Sequence, residues 1–339
     1  MRLLKITSWN VAHLERLTKP DLSETAQVRR AAVVQELREL NPDVLCLLEG
    51  PKGEEGIDLV AQGLLAGDWL PVKAADGEYG QRGAQWIWFL VRRELAPIAS
   101  LLPVSTWDAF AGEAWPCHFW GSFEAQLHRH YRHPQTLVLD WNGLRVEMVG
   151  LHLKSKYVNQ GESMWKAGGE KREEFIREAL SARIKMTTEA ANVRAYIDAK
   201  FQQVEKPAIF VMGDLNDGPG KEYFEQRYLF FDLISNVQGD IFAASRFLNH
   251  ALFDFAGHLR WTVQFDDFVD PDRDPHILLD HILFTQPLVD SSLPWHISAG
   301  AGWVEHEIHD LINAPLKEAA RSSDHKPVSL RVEVPDLMV

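Results

Sequence analysis

Short apolar runs recur along the whole chain, and several of them stop at a polar or charged residue. Runs of about four to eight apolar and β-branched residues are typical of buried β-strands. The pattern predicts strands at residues 3–9, 43–48, 85–91, 95–103, 207–213, 278–285, 295–298 and 328–334. The chain therefore has many short strands, distributed from one end to the other.

The strongest local signal is a hairpin formed by residues 135–141 and 144–153. Only Asn142 and Gly143 separate these two apolar runs. This residue pair accepts the positive φ angles of a type I′ turn, which joins antiparallel strands. The sequence therefore predicts at least one antiparallel strand pair.

Helical periodicity fills several of the intervals between strands. Asp21 is the predicted N-cap of the first helix, with Glu24 as its capping-box partner, and the pair Asn41-Pro42 ends that helix. Further helices are predicted at residues 57–65 and 171–201. Because hairpins alternate with helices, we expect two sheets packed face to face with helices on the outside.

No repeat, low-complexity tract or linker divides the sequence, so we expect one domain spanning residues 1–339. Two segments have no clear periodicity, an aromatic-rich one at 106–133 and a polar, Gly-rich one at 155–169. We expect both to shape a substrate pocket, since binding residues are disproportionately found on loops held by a rigid scaffold.

The charge balance limits the partners that this chain can bind. With 35 Lys and Arg against 48 Asp and Glu, the formal net charge is −13. This balance is unfavourable for a long electrostatic footprint on duplex nucleic acid. A local basic patch and a bound cation can still reverse the sign inside a cleft, so a phosphate substrate remains possible.

The cysteines and the apolar segments point to an intracellular protein. Only Cys46 and Cys117 are present, and Cys46 lies inside an apolar run, so we expect a buried thiol and no disulfide framework. No stretch approaches the roughly 18 apolar residues of a membrane span, and no leader pattern is found at the N-terminus. A cytoplasmic location is the resulting expectation.

Asp214 and Asn216 directly follow the apolar run 207–213. Because strand residues alternate sides, both side chains are expected on the same side of the sheet, and Gly213 leaves room for close approach. An aspartate here can orient and deprotonate water, and the amide can donate a hydrogen bond to a developing negative oxygen. Alone, the motif fits an Asx-turn equally well.

Other polar residues end predicted strands in the same way. Asn10 and Glu49 offer the amide and carboxylate oxygens with which Mg²⁺ is commonly held. The pairs Asp280-His281 and Asp324-His325 combine a carboxylate with an imidazole, a combination that fixes the histidine tautomer and raises its basicity. Each of these signals is weak when it stands alone.

A third segment combines a histidine with two lysines. His152 can donate a proton to a leaving oxygen or bind a phosphate oxygen, and Lys154 and Lys156 can supply positive charge for binding the substrate. A solvated strand end is the alternative interpretation of this segment.

Taken together, the motifs between Asn10 and His325 resemble those of the endonuclease/exonuclease/phosphatase superfamily, whose fold is shared by deoxyribonuclease I, exonuclease III, inositol-polyphosphate 5-phosphatases and neutral sphingomyelinases. The most specific matches are Gly213-Asp214-Leu215-Asn216 and Ser323-Asp324-His325. The resemblance implies an α/β fold of four layers, an α/β/β/α sandwich in which two mixed β-sheets pack face to face with helices on the outside.

The resemblance also implies a cofactor and its ligands. The cofactor would be Mg²⁺, with Mn²⁺ able to substitute for it. Glu49 would be the main metal ligand, assisted by Asn10 and Asp324.

The catalytic roles follow from the same resemblance. Asp214 would act as the base or water-orienting residue, and Asn216 would donate to a phosphate oxygen. Asp280 would orient His325, which contacts the scissile phosphate, and His152 would occupy the histidine position of the deoxyribonucleases.

Two departures from the family pattern argue against particular branches of the superfamily. Val11-Ala12 follow Asn10, so the additional metal-side aspartate of abasic-site endonucleases is missing. Leu278-Leu279 precede Asp280, where the inositol 5-phosphatases carry a Trp-Cys-Asp-Arg run. The sequence looks most like bacterial nuclease-type members.

Three functions are therefore compared. The leading one is a Mg²⁺-dependent phosphoesterase that hydrolyses phosphodiester bonds of nucleic acid or nucleotides by metal-assisted in-line attack of water. The alternative is a phosphomonoesterase, or a lipid- or inositol-type phosphodiesterase, on the same scaffold. A non-catalytic binding protein is disfavoured because the residues needed for chemistry are all present. The sequence leaves the oligomeric state open.

Overall fold

Two six-stranded mixed sheets form the centre of the molecule. The computed structural model describes residues 1–119, 124–229, 232–240 and 242–338. The first sheet contains, in spatial order, β15 (Gly302–Val304), β16 (Val328–Val334), β1 (Arg2–Asn10), β2 (Val44–Gly50), β4 (Trp86–Arg92) and β3 (Trp69–Pro71). The second contains β11 (Asn249–His250), β14 (Asp280–Phe284), β10 (Ala208–Asp214), β9 (Leu144–His152), β8 (Gln135–Trp141) and β5 (Ala99–Leu101).

Short hairpins and helices surround the sheets. The hairpins pair β6 (Trp115–His118) with β7 (Ala125–His128), and β12 (Val263–Gln264) with β13 (His276–Ile277). The α-helices are α1 (Glu24–Leu40), α2 (Gly53–Asp58), α3 (Gly161–Ala167), α4 (Gly169–Gln203), α5 (Leu233–Gln238) and α6 (His306–Asn313). Short 3₁₀ segments lie at Leu14–Leu17, Arg93–Ile98, Val104–Trp107, Ala244–Arg246, Gly257–Leu259, Gln286–Leu288 and Glu318–Ala320. Two π-helical segments lie at Leu59–Leu64 and Glu225–Leu229.

The strand alternation divides the apolar residues among three layers. Between the sheets, side chains such as Ile6, Cys46 and Phe210 form one buried core. The alternate positions point outward, where Trp9 and Leu45 of the first sheet pack against α1. On the opposite outer face, α4 packs against β9 and β10. The α/β/β/α sandwich with two mixed sheets is therefore confirmed.

The predicted hairpin is confirmed in detail. β8 and β9 are antiparallel partners, and Asn142 and Gly143 have φ angles of 53° and 84°. Both cysteines are buried and free, as expected for a chain without a disulfide framework. Within the described ranges, no helix combines the length and the apolar character needed to cross a membrane.

Several predicted boundaries were wrong. The N-cap of α1 is Ser23, whose Oγ accepts from the Ala26 N–H at 3.3 Å, and not Asp21. The run 95–103 is a 3₁₀ segment followed by the short strand β5, since Pro97 cannot donate a backbone hydrogen bond. The run 295–298 makes only an isolated bridge from His296 to Glu333.

Gly213 shows how closely two strands of the second sheet approach each other at the C-terminal end of β10. Gly213 of β10 has a φ of +141°, and a Cβ on it would lie 1.9 Å from the carbonyl oxygen of Leu151 in the parallel neighbour β9. We expect Gly213→Ala to lower the free energy of unfolding by about 3 kcal/mol or more, because both backbone strain and a backbone clash oppose it. Urea denaturation measures this change.

Gly63→Ala is the matched control, because a Cβ there meets nothing within 4 Å. Its effect on stability should stay within about 0.5 kcal/mol. Equal stability of the two variants would contradict the proposed close approach of β9 to β10.

Candidate active site

The polar strand ends converge because of the strand directions. β1 and β2 are parallel neighbours in the first sheet, as are β9 and β10 in the second, so their C-terminal ends lie at one edge. β14 and β16 run antiparallel to β10 and β1, so their N-terminal ends reach the same edge. The side chains brought to this edge are Asn10, Glu49, His152, Asp214, Asp280 and His325.

Asp214, Asp280 and His325 form the centre of the site. One ligand atom from each lies within 4.8 Å of the other two. His325 Nδ1 is 2.7 Å from Asp280 Oδ2, and His325 Nε2 is 3.9 Å from Asp214 Oδ2. Asp280 Oδ1 is buried and has no hydrogen-bond partner among the described residues. The cluster therefore presents an imidazole edge and carboxylate oxygens toward one point.

Burial and neighbouring charge shift the pKa values in this cluster. Burial, followed by repulsion from Asp280, raises the pKa of Asp214 to about 7. Although burial opposes the imidazolium form, the charge and the hydrogen bond of Asp280 raise the pKa of His325 to about 10. His325 is therefore protonated at neutral pH, whereas Asp214 changes its protonation state close to neutral pH.

The adjacent residues Asp280 and His281 do not form the carboxylate–imidazole pair that their sequence suggested. They are consecutive residues of a strand, so their side chains point to opposite faces. His281 Nε2 instead bonds the Asp217 carbonyl at 2.7 Å, and its Nδ1 bonds His250 at 2.8 Å. The partner of Asp280 is His325, the pairing that the resemblance implied.

His152 faces the same cluster from the end of β9. Its Nε2 lies 3.5 Å from Asp214 Oδ2 and 4.0 Å from Glu49 Oε1. Burial, followed by the positive charges of Arg132 and His325, holds the pKa of His152 well below its usual value. The ring is therefore neutral at neutral pH.

Glu49 enters the site through a local distortion of β2. The pairing with β4 shifts register between Leu47 and Gly50, and Glu49 has a φ of +56°. Bulges of this kind re-aim a side chain and are common beside active sites. Glu49 Oε2 accepts hydrogen bonds from the His13 N–H at 2.9 Å and from Gln85 Nε2 at 2.5 Å.

Asn10 connects the two sheets. Its Nδ2 donates to Asp214 Oδ2 at 3.1 Å, and its Oδ1 accepts from the Ala12 N–H at 3.0 Å. Asp324, the third predicted metal ligand, is exposed on the neighbouring loop, and its Oδ1 lies 3.5 Å from Ser323 Oγ. It therefore lies beside the buried cluster rather than within it.

Asn216 is held in the left-handed backbone region, with a φ of +53°. Its N–H donates to Asp214 Oδ1 at 2.8 Å, and its Nδ2 donates to the Leu153 carbonyl at 3.0 Å. One hydrogen of the side-chain amide remains for another acceptor. The Asx-turn and the catalytic interpretation of this motif are therefore compatible.

The two lysines that were predicted to bind substrate differ in whether they form ion pairs with acidic side chains. Lys156 Nζ bonds Asp217 at 2.5 Å and Glu225 at 2.7 Å, so its charge is balanced inside the protein. Lys154 Nζ donates to the Ser155 carbonyl at 2.6 Å and has no acidic partner within 4 Å in the described chain. Their contact with a substrate stays a prediction.

Two residues that the sequence did not reveal reach the site from the segment around β4 and β7. Gln85 bonds Glu49, and its Oε1 accepts from Arg132 Nη2 at 2.7 Å. Burial lowers the pKa of Arg132, whose Nε has no partner among the described residues. No spacing or composition signal distinguishes these residues from other polar loop residues, because only the tertiary fold brings them to Glu49.

A second buried cluster supports the segment that carries His325. Glu36 of α1 accepts from His309 Nδ1 at 2.8 Å, from Asn313 Nδ2 at 3.2 Å and from the Ser322 hydroxyl. Directly after Ser322, the Ser323 hydroxyl donates to the Asn10 carbonyl at 2.7 Å. These bonds fix the loop before β16 against both α1 and β1.

The tryptophans described in the segments 106–133 and 155–169 pack against the protein. Trp107 stacks on Tyr196 with ring centroids 4.5 Å apart, and Trp115 and Trp165 make edge-on contacts with neighbouring rings. Trp120 lies outside the described residues. Packing alone therefore explains the positions of Trp107, Trp115 and Trp165.

A cavity of about 1710 Å³ opens beside the cluster and is bounded by Lys156, Asn216 and Leu279. The loop at 155–169 contributes to its wall, as expected. The described residues of the segment 106–133 do not, although Phe119 and Gln126 line a second cavity of about 520 Å³. This segment instead forms the β6–β7 hairpin and delivers Arg132.

Comparisons with known proteins identify the fold. No protein-family model matches the chain, and no curated protein matches it. Among solved structures, truncated Caenorhabditis elegans TDP2 has a TM-score of 0.51 at 14% identity, covering 97% of each chain. Humanized D. rerio TDP2 has a TM-score of 0.52 at 14% identity, covering 98% of this chain and 99% of that one.

A further structure is D. rerio TDP2 complexed with a single-strand DNA product, with a TM-score of 0.50 at 14% identity, covering 98% of this chain and 99% of that one. At such identities the likeness concerns the arrangement of the chain and not its activity. The chain therefore shares the fold of these TDP2 structures.

Proposed function

We propose that this protein is a Mg²⁺-dependent phosphoesterase that hydrolyses phosphodiester bonds of nucleic acid or nucleotides. The observation that carries the proposal is the buried Asp214–Asp280–His325 cluster at the shared edge of the two sheets. Two buried carboxylates beside an imidazolium are costly unless they serve a ligand or a reaction. The fold of the TDP2 structures, one of which holds a single-strand DNA product, supports the choice of nucleic acid.

The donor groups fit a hard divalent cation. Asp280 Oδ1 is a buried oxygen without a partner in the described chain, and Glu49 Oε1 lies 4.0 Å from His152 Nε2, which is itself 3.5 Å from Asp214 Oδ2. Carboxylate and amide oxygens suit Mg²⁺ or Mn²⁺ better than softer metals. Glu49 and Asn10 would hold the ion, with Asp324 on the adjacent loop as the third ligand. When bound, it supplies positive charge that offsets the negative charge developing on the phosphate.

The chain's own residues then divide the remaining work. Asp214, with a pKa of about 7, orients a water molecule and accepts its proton. His325 donates a hydrogen bond from Nε2 to a phosphate oxygen, while Asp280 holds the ring through Nδ1. Neutral His152 and the free amide hydrogen of Asn216 complete the set of donors to the phosphate.

A phosphomonoesterase or lipid-type phosphodiesterase is the second candidate, and the net charge of −13 favours it. A compact substrate does not need the extended basic groove that a long nucleic acid needs. Parallel assays on single-stranded DNA, RNA, sphingomyelin and inositol phosphates separate the two candidates. Turnover of the lipid or the inositol phosphates alone would exclude the nuclease.

Removal of the metal is the first test. We expect a chelator to abolish hydrolysis of bis(p-nitrophenyl) phosphate, because the negative charge of the phosphate is then no longer offset. Excess Mg²⁺ should restore the hydrolysis. Release of p-nitrophenol measures the rate. Full activity in the presence of the chelator would contradict metal dependence.

Replacement of the proposed base is the second test. Asp214→Asn keeps the shape of the side chain but cannot accept a proton, so we expect kcat to fall about 10²–10⁴-fold. The exposed Asp68, outside the site, gives the matched control Asp68→Asn, which should retain full activity. Thermal unfolding shows whether each variant keeps the fold, and a fully active Asp214→Asn would refute the assignment.

The Asp280–His325 pair can be tested without turnover. Asp280→Asn removes the charge that raises the pKa of His325, so that pKa should fall from about 10 toward the ordinary histidine value. An NMR titration of the imidazole in metal-free protein measures it. An unchanged His325 pKa would show that the pair does not form in solution.

A further inference from the structure

The large cavity beside the cluster is lined by three segments that also carry residues of the site. It is bordered by Lys156, which follows His152, by Asn216, and by Leu279, which precedes Asp280. Because Asn216 lines the cavity and its N–H bonds Asp214, a group attached to a phosphate held at the cluster can extend into this cavity. Its lining bears directly on which substrate the site accepts.

The charges on the cavity wall are mostly paired with one another. Lys156 bonds Asp217, and Arg183 bonds Glu222 at 2.6 Å. The remaining wall pairs are Lys166–Glu162 at 2.6 Å and Arg273–Asp267 at 3.7 Å.

Of the Lys and Arg side chains that line the cavity in the described chain, only Lys221 and Arg260 have no acidic partner within 4 Å. Arg260 also donates to the Phe253 and Phe255 carbonyls, so these two cations can meet at most one or two phosphates. A polynucleotide track needs many more, because each neutralised phosphate contributes to affinity through counterion release.

The wall also carries two aromatic rings that the protein does not cover. Tyr157 is 72% exposed and Phe265 is 52% exposed, and both line the cavity. Phe175 and Phe224 also line the cavity, but both are buried in a cluster of aromatic side chains. Exposed rings in a concave wall provide stacking surfaces for planar groups.

We propose that the site acts on a compact nucleotide phosphodiester, with the nucleoside in this cavity and its base against Tyr157 or Phe265, and not on a long polynucleotide. This inference rests on the proposed function and narrows its substrate class. The paired wall charges leave few free cations for a polyanion, while the uncovered rings favour a base. Lys221 and Arg260 can each bind at most one further phosphate.

Two esters with the same leaving group test the proposal. Thymidine 5′-(p-nitrophenyl phosphate) and methyl p-nitrophenyl phosphate both lose p-nitrophenolate when water adds to phosphorus, and only the first carries a nucleoside. We expect wild-type protein with Mg²⁺ to prefer the thymidine ester in kcat/KM. Tyr157→Ala or Phe265→Ala should reduce that preference about tenfold, as expected for loss of base stacking.

Phe253→Ala is the matched control, because Phe253 is 51% exposed and does not line the cavity. It should leave the preference unchanged. A preference ratio that is the same in wild type and in both cavity variants would overturn the proposal, even with both esters hydrolysed. If wild-type protein hydrolyses neither ester, the proposed function itself fails.

Salt dependence gives an independent measurement. For the thymidine ester, and for a single-stranded oligonucleotide if it is cleaved, the slope of log kcat/KM against log salt should be shallower than about −1.4, which corresponds to two phosphate contacts. An oligonucleotide cleaved with higher kcat/KM than the thymidine ester and a slope steeper than about −3 would overturn the proposal in favour of a polymer track.

Discussion

The contact between Asp280 and His325 joins the two halves of the molecule. Asp280 starts β14 in the second sheet, and His325 precedes β16 in the first, so their 2.7 Å hydrogen bond crosses the seam of the sandwich. The bond from Asn10 to Asp214 crosses the same seam. The site is therefore not a property of either sheet, and any change in the packing of one sheet against the other alters its geometry.

Polar groups behind the site keep this seam in register. Trp9 Nε1 donates to the His325 carbonyl at 2.9 Å, and Ser323 bonds the Asn10 carbonyl. Glu36 and its partners hold the preceding turn from the side of α1. Buried networks in which every member has a partner specify one arrangement, whereas partly satisfied ones do not. Asp280 Oδ1, which has no partner in the described chain, lies instead where a ligand is expected.

The sequence predicted the parts of the fold that depend on local pattern. Strand positions, the Asn142-Gly143 turn and the layer order follow from alternation and turn chemistry, and residues at strand ends identified the cluster. Boundaries failed where competing local signals occur, as with Ser23 and Asp21. Gln85 and Arg132 could not be predicted, because their role depends only on which loops the fold places beside Glu49. The bulge that re-aims Glu49 was not predicted either, because the predicted strand ended at residue 48, before the register shift.

The pairing of β1 with β16 determines when the site assembles as the chain folds. Thr7 and Ser329 share a buried hydrogen bond across 322 positions of sequence, and the strands on either side of it carry Asn10 and lead from His325. Contacts so distant along the chain form late, after the loops between them have closed. A chain lacking β16 leaves one edge of β1 without its partner strand, although β2 still pairs with the other edge, and it cannot hold His325 beside Asp280. The Asp214–Asp280–His325 cluster is therefore complete only after the first and last strands of the chain have paired.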